Sequence, residues 1–208
     1  MKQMFFGRAD ARRLVTLALL LAVMLVLAYT PLGFIAIGPS VSATLTFLPV
    51  LIGTLCEGLG AGLLLGLCFG IISLLKALAP VGVLDVLFLN PLVSVLPRLL
   101  IPCGTWGAYK GMRLLRPGRG DLLLAWAGGA LAGALTNTVA VLGMLWLCRG
   151  AQAAANLGIA PGALAGVMGA ILLSNGVPEA VCATILVPVI VRILSRAGLA
   201  RMAHPTAK

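Results

Sequence analysis

Long runs of Leu, Ala, Val, Ile and Gly, broken by prolines and by clusters of basic residues, set the pattern of this chain. About 20 apolar residues are needed to cross the hydrocarbon core of a bilayer, fewer where a helix is short or lies against protein. On that measure, spans are expected near residues 14–30, 42–57, 59–78, 90–110, 122–147 and 175–195. Pro49 interrupts the second, whose apolar length is marginal. The apolar stretch 159–173 reads either as a short outer helix or as the start of an unusually long last one.

Composition excludes a soluble domain. The 208 residues are 61% hydrophobic and 10% charged, against roughly 25% charged in soluble proteins, and a chain of this length lacks the polar surface to cover so much apolar area. The first apolar run has no small-residue cleavage site and several more runs follow it, so it reads as a span and not as a cleaved signal. The five cysteines, Cys56, Cys68, Cys103, Cys148 and Cys182, sit in or beside apolar runs at irregular spacing and behave as small hydrophobes.

Charge then sets the orientation. The net charge of +10 is spread over the edges of the apolar runs, which fits membrane topology and not a nucleic-acid patch. Lys2, Arg8, Arg12 and Arg13 precede the first span; Lys110, Arg113, Arg116 and Arg119 lie between the fourth and fifth; Arg192, Arg196, Arg201 and Lys208 close the chain. These groups share one side only if the number of spans is even, and residues 31–41 and 79–89 contain no Lys or Arg. The expected fold is an all-α integral membrane protein, a compact six-helix transmembrane bundle with N and C termini cytoplasmic. Its parts are a cytoplasmic segment 1–13, a membrane domain 14–195 and a cytoplasmic tail 196–208.

Small residues fall in register within the spans. Gly62, Gly66 and Gly70 recur every fourth residue in the third span and Gly129 and Gly133 in the fifth, so neighbouring backbones can approach closely. Ala18 and Ala22 form a similar face on the first span, open to either an internal contact or a partner helix.

The polar residues inside the spans are the candidates for chemistry. Arg98, in "NPLVSVLPRLLIP", is costly in a bilayer unless it faces protein, water or a counter-charge, and Pro91, Pro97 and Pro102 around it preclude a straight regular helix. Glu179 and Asn175 stand four residues apart and can share a face, with "SNGVP" reading as a helix start capped by Ser174 or Asn175. Arg98 and Glu179 serve either a ligand or each other. Thr136, Asn137 and Thr138 lie inside the fifth span, where Asn137 supplies both donor and acceptor to a ligand or to a neighbouring helix. Asn90 and Lys76 fall near outer ends of spans, within reach of a ligand or of the interface. The uncharged first outer loop, "TPLGFIAIGPSVSATL", suits a lid over a cavity, with short re-entrant packing as the competing reading.

No GxxxxGK[ST] or HExxH sequence is present, and His204, the one histidine, lies in the polar tail, so catalytic residues, metal sites and cofactors are not expected. The two halves show no repeat of paired interrupted helices of the kind found in many secondary transporters. A binder that draws energy from another subunit fits these features. A self-contained secondary transporter or small channel, motivated by the internal polar groups, and a noncatalytic assembly factor, motivated by the small-residue faces, remain as alternatives.

Taken in order, "LVTLALLLAVMLVLAYTPLGFIAIG", "ATLTFLPVLIGTLCEGLGAGLLLGLCFGIISLL", "FLNPLVSVLPRLLIP", "GALTNTVAVLG" and "NGVPEAVCATILVPVIVRIL" resemble the substrate-binding S components of energy-coupling factor (ECF) transporters, which import vitamins. The resemblance covers about residues 12–197 and departs at "TLCEGLGAG", where Glu57 and Gly58 replace a Gly-Pro-rich turn. It implies a multi-pass subunit of the bacterial cytoplasmic membrane that captures a small vitamin near the outer face. The first loop, Pro31 through Thr44 with Pro31, Phe34, Ile35 and Pro39, would be the gate. The partners implied are a transmembrane coupling subunit, docked at Ala18 and Ala22, and two cytoplasmic ATPase subunits; the subunit would topple in the membrane to release its cargo. "TPLGFIAIGP" and "ATLTFLPV" are most similar to pantothenate-type members. For such a ligand Arg98 would meet the carboxylate, with Asn137 or Asn175 bonding amide and hydroxyl groups, while Glu179 equally suits a cationic or amide-rich vitamin. The candidate substrate-binding set is Arg98, Asn137, Asn175, Glu179, Asn90 and Thr44.

Overall fold

The computed structural model describes residues 8–38, 41–80, 82–115 and 122–200. Helix α1, Arg8–Tyr29, ends in a 3-10 turn at Pro31–Gly33. There follows an antiparallel hairpin of β1, Phe34–Gly38, and β2, Val41–Thr44, with Phe34 opposite Thr44. The chain continues through α2, Leu48–Glu57, and α3, Leu59–Lys76. Beyond a 3-10 segment at Asp85–Leu89 come α4, Pro91–Ser94, and α5, Leu96–Leu115. Helix α6, Leu122–Leu157, precedes α7, Leu164–Ile171, and a π-turn at Leu172–Gly176 leads into α8, Val177–Arg196. The helical reading holds, with one hairpin added to it.

Among the described residues, four stretches are long and apolar enough to cross a membrane: Ala11–Tyr29, Leu59–Lys76, Leu122–Leu157 and Pro161–Arg196. The expected second span, 42–57, is corrected. Its first residues form β2, and the 10 residues of α2 reach only about 15 Å, half a hydrocarbon core. Helix α2 is instead the centre of the bundle: Leu48 through Cys56 are all buried, and Phe47, Leu51 and Leu55 have no exposed surface. Gly58 turns the chain directly from α2 into α3 at φ 92°, a conformation open to glycine and strained for other residues.

The glycine stripe of α3 faces α5. A Cβ on Gly62 would collide with Thr54 and lie 2.7 Å from Pro102, and one on Gly70 would lie 2.8 Å from the Val95 Cα. Gly133 on α6 likewise leaves room for Thr105 and Leu51. The backbones therefore approach closely where the small residues recur, which in lipid supplies the packing that hydrophobic exclusion cannot.

The other boundaries move as well. The fourth span is interrupted at Val95 between α4 and α5, as its prolines require. The fifth runs past 147 to Leu157 with a break at Arg149 (φ −140°, ψ 18°). In the sixth, "SNGVP" is not a helix start: the helix runs through it, no side chain caps it, and Ser174 Oγ donates back to the Ile171 carbonyl at 3.5 Å. Pro178 has no N–H to give and crowds the carbonyl four residues earlier, and the winding loosens into the π-turn just before it. From Pro161 on, the stretch 159–173 thus belongs to one long terminal helical run. With the tail of α6 it closes a second, smaller core around Leu87, Val93, Leu145, Leu164 and Met168.

Alternation of the helices separates two ends. Arg12 and Arg13 lie about 20 Å along α1 from Ala28, and Lys110 and Arg113 lie a similar distance along α5 from Arg98. Arg192 and Arg196 are as far along α8 from Glu179. Arg13 approaches Gly60, which brings the start of α1 to the α2–α3 turn. The basic groups therefore gather at one end and the intramembrane polar residues toward the other.

Candidate substrate-binding site

A cavity of about 500 Å³ opens at the end away from Arg12, Arg13, Lys110 and Arg113. It is walled by Ala28 of α1, by Thr44 and Thr46 at the base of the hairpin, by one face of α3, by Gly82, Asp85 and Phe88, and by Arg98. The α3 face consists of Phe69, Ile72, Ser73 and Lys76, spaced so that all four fall on one side of the helix. The volume suits a small organic ligand.

Arg98 occupies the first turn of α5 and is only 8% exposed. Gly66 lets the Arg98 carbonyl come against α3, so the guanidinium lies beside the next turn of that helix. There it donates from Nη1 to the Val93 carbonyl at 3.3 Å and from Nη2 to Ser73 Oγ at 3.2 Å. Phe69 and Phe88 hold its carbon centre 5.2 and 5.3 Å from their ring centroids, a cation–π environment on two rings. Ser94 Oγ bonds to the Phe88 carbonyl and ties the 3-10 segment carrying that ring to α4. The remaining guanidinium donors include Nε, which is buried with no partner among the described residues. The site therefore holds a desolvated cation with donor capacity left over, the arrangement that recognises a carboxylate.

Glu179 is 6% exposed and does not spend its hydrogen bonds on Arg98. Its Oε1 accepts the main-chain N–H of Thr44 at 3.0 Å and its Oε2 accepts the Thr138 hydroxyl at 3.4 Å.

Of the residues singled out in the sequence, Arg98 and Thr44 line the cavity, and Glu179 stands one hydrogen bond behind Thr44. Asn137, on α6, and Asn175, in the π-turn, each bury an Oδ1 that has no partner among the described residues. Gly176 approaches Thr138, bringing the π-turn to α6 on the Glu179 side of the site. Asn90 uses its Oδ1 to cap α4, accepting from Leu92 N–H at 3.0 Å. Pro31 is exposed and opens the 3-10 turn before the hairpin; the side chains of Phe34 and Ile35, and Pro39 entirely, lie outside the described residues. Ala18 and Ala22 are exposed, since α1 buries the opposite series Thr16, Leu20, Met24 and Ala28. An internal contact for the alanine pair is thereby excluded.

Phe69, Ser73, Asp85 and Phe88 line the cavity without being among the residues the sequence singles out, and Lys76 joins them there. The α3 members carry a signal, their 3- and 4-residue spacing with a hydroxyl and a cation on one face. Phe88 and Asp85 carry none, since a 3-10 segment with no apolar period brings them in.

Residues 12–191 match the family described as "ECF transporter, substrate-specific component". The chain is also 30% identical over 205 aligned positions, 91% of its own length and 97% of the relative's, to the "Pantothenic acid transporter PanT" of Lactococcus lactis subsp. cremoris (strain MG1363). The helical, multi-pass architecture and this match over most of its length lead to one conclusion: the chain belongs to the substrate-specific components of ECF transporters, membrane subunits of vitamin uptake that are not themselves enzymes.

Proposed function

We propose that this subunit captures pantothenate from outside the cell in the cavity beneath the hairpin and hands it inward through an ATP-driven coupling module. The observation that carries the reading is Arg98, a buried arginine between Phe69 and Phe88 on the wall of a 500 Å³ cavity. A carboxylate is the natural partner of such a group. Lys76 adds a second cation to the lining against one acid, Asp85, so the cavity favours an anion. Ile72, Ala28 and the phenyl rings offer apolar contact to the ligand's carbon skeleton, and Thr44, Thr46 and Ser73 offer hydrogen bonds to its amide and hydroxyls. Asn137 and Asn175, each with an unpartnered buried oxygen, supply further acceptors on the Glu179 side once a ligand or the closing hairpin reaches them. The similarity to a pantothenic acid transporter of Lactococcus lactis supports this choice of vitamin.

In this reading the hairpin 34–44, entered through Pro31 and including Phe34, Ile35 and Pro39, is the gate, and the basic end faces the cytoplasm with both termini. Energy comes from two cytoplasmic ATPases through a transmembrane coupling subunit that docks on the exposed Ala18–Ala22 face of α1.

The test is equilibrium binding of radiolabelled vitamins to the purified chain, with and without Arg98→Ala. Pantothenate should bind saturably and the variant should lose it. Reconstituted uptake should then require the coupling subunit and ATPases together. Saturable binding of another vitamin in preference to pantothenate would reject this choice of substrate, and uptake by the chain alone in liposomes would reject the dependence on ATP.

A further inference from the structure

Glu179 and Thr44 are 135 residues apart in sequence, yet the carboxylate of one accepts the main-chain N–H of the other at 3.0 Å. A carboxylate with 6% exposure in an apolar bundle is costly unless its lone pairs are satisfied. Here they are satisfied by two groups from different elements, the end of β2 and, through Thr138, the middle of α6. Three separate parts of the chain thus meet at one side chain. Thr44 is the pivotal member, because its pairing with Phe34 closes the hairpin and its side of the strand lines the cavity. The base of the hairpin is fixed on the other side by Leu45 N–H to the Gly33 carbonyl at 2.8 Å. Against α8, the base is held by the bond to Glu179.

We infer that Glu179 is a positioning residue that latches the hairpin base to α8 and α6, acting on ligand retention through Thr44 and not by its own contact with the ligand. The latch holds the cavity wall at Thr44 and Thr46 in place, and its opening sets how fast a bound vitamin leaves. What it requires is an acceptor oxygen at the length of a glutamate; the negative charge is secondary. This rests on the reading of the cavity as the vitamin site and adds a role for Glu179 that the cavity lining alone does not give.

The requirement separates two conservative variants. Glu179→Gln keeps an acceptor oxygen at the same reach and removes the charge. Glu179→Asp keeps the charge and withdraws it by one methylene, out of reach of the Thr44 N–H. The full chain in lipid nanodiscs is loaded with radiolabelled pantothenate and its dissociation followed after a chase, and hydrogen exchange of residues 41–47 is measured without ligand. The latch predicts dissociation about tenfold faster in Glu179→Asp, with faster exchange at the hairpin base, while Glu179→Gln stays within about threefold of the unaltered protein on both readouts. The reverse order would mean that Glu179 acts on the ligand by charge, and would overturn the inference. So would two variants that both match the unaltered protein, or that are impaired to the same degree. If the unaltered chain does not bind pantothenate, the substrate reading fails by itself and the exchange measurement alone decides the latch by the same ordering.

Discussion

The Arg98 carbonyl lies against Gly66 so closely that a Cβ on the glycine would stand 2.6 Å from the oxygen. Neither atom can give way cheaply, because the carbonyl is backbone and the glycine lies in the middle of α3. This contact fixes the distance between α3 and α5, and with it the position of the guanidinium beside Ser73 and Phe69. Gly66→Ala should therefore destabilise the protein by about 1–3 kcal/mol and weaken ligand binding as well. Gly107→Ala and Gly143→Ala are the controls, since nothing lies within 4 Å of the added carbon at either position. They should be neutral or slightly stabilising in detergent unfolding.

Arg98 differs from a lysine in more than charge. Its planar head lies by two phenyl rings while two of its nitrogens bond to Val93 and Ser73. A lysine has neither the planar head nor the fork of donors. Arg98→Lys should lower affinity for an anionic vitamin by about tenfold, and Arg98→Ala by about a hundredfold or more, measured by equilibrium binding. An uncharged, carboxyl-reduced analogue of the ligand should lose affinity for the unaltered protein but lose little further on Arg98→Ala.

Lys76 stands one helical turn beyond Ser73 on the same wall of the cavity. A half-buried cation in that position attracts an approaching anion more than it holds a bound one. Lys76→Met should slow association by about three- to tenfold and flatten its dependence on salt, with dissociation changed less, as read from binding kinetics at several ionic strengths.

What is legible in the sequence is what a local physical rule dictates. The apolar length of α1 and α3 and the fourfold glycine spacing on α3 both survive in the structure, because hydropathy and close packing act residue by residue. Arg98 stood out for the same reason, as a lone charge in a span. The hairpin did not, since a short uncharged stretch between prolines reads equally as an irregular outer loop. The second span reads too long from sequence because hydropathy alone does not show that residues 42–47 form a strand and a turn. At "SNGVP" a proline in the first turn and a proline tolerated by a π-turn leave the same trace in sequence. The bond from Thr44 to Glu179 was illegible for a deeper reason: its donor is a main-chain N–H, which every residue but proline carries.

The exposed face of α1 gives the last prediction. Ala18 and Ala22 leave a shallow furrow on a helix that turns Thr16, Leu20, Met24 and Ala28 toward the core. Small residues cost nothing there against lipid, but they admit the close approach of another helix, and a leucine in either place would fill the furrow. Neither residue lines the cavity. Ala18→Leu with Ala22→Leu should therefore leave vitamin binding to the isolated chain unchanged, while ATP-driven uptake and co-purification with the coupling subunit fall by about tenfold or more, as loss of a close-packed helix contact implies. Val139→Leu, at a position of α6 that is 56% exposed, is the control for enlarging a side chain that faces the surroundings and should do neither. If the alanine variants lose binding as well, the furrow has been assigned the wrong role; if uptake persists at the unaltered rate, the coupling subunit docks elsewhere.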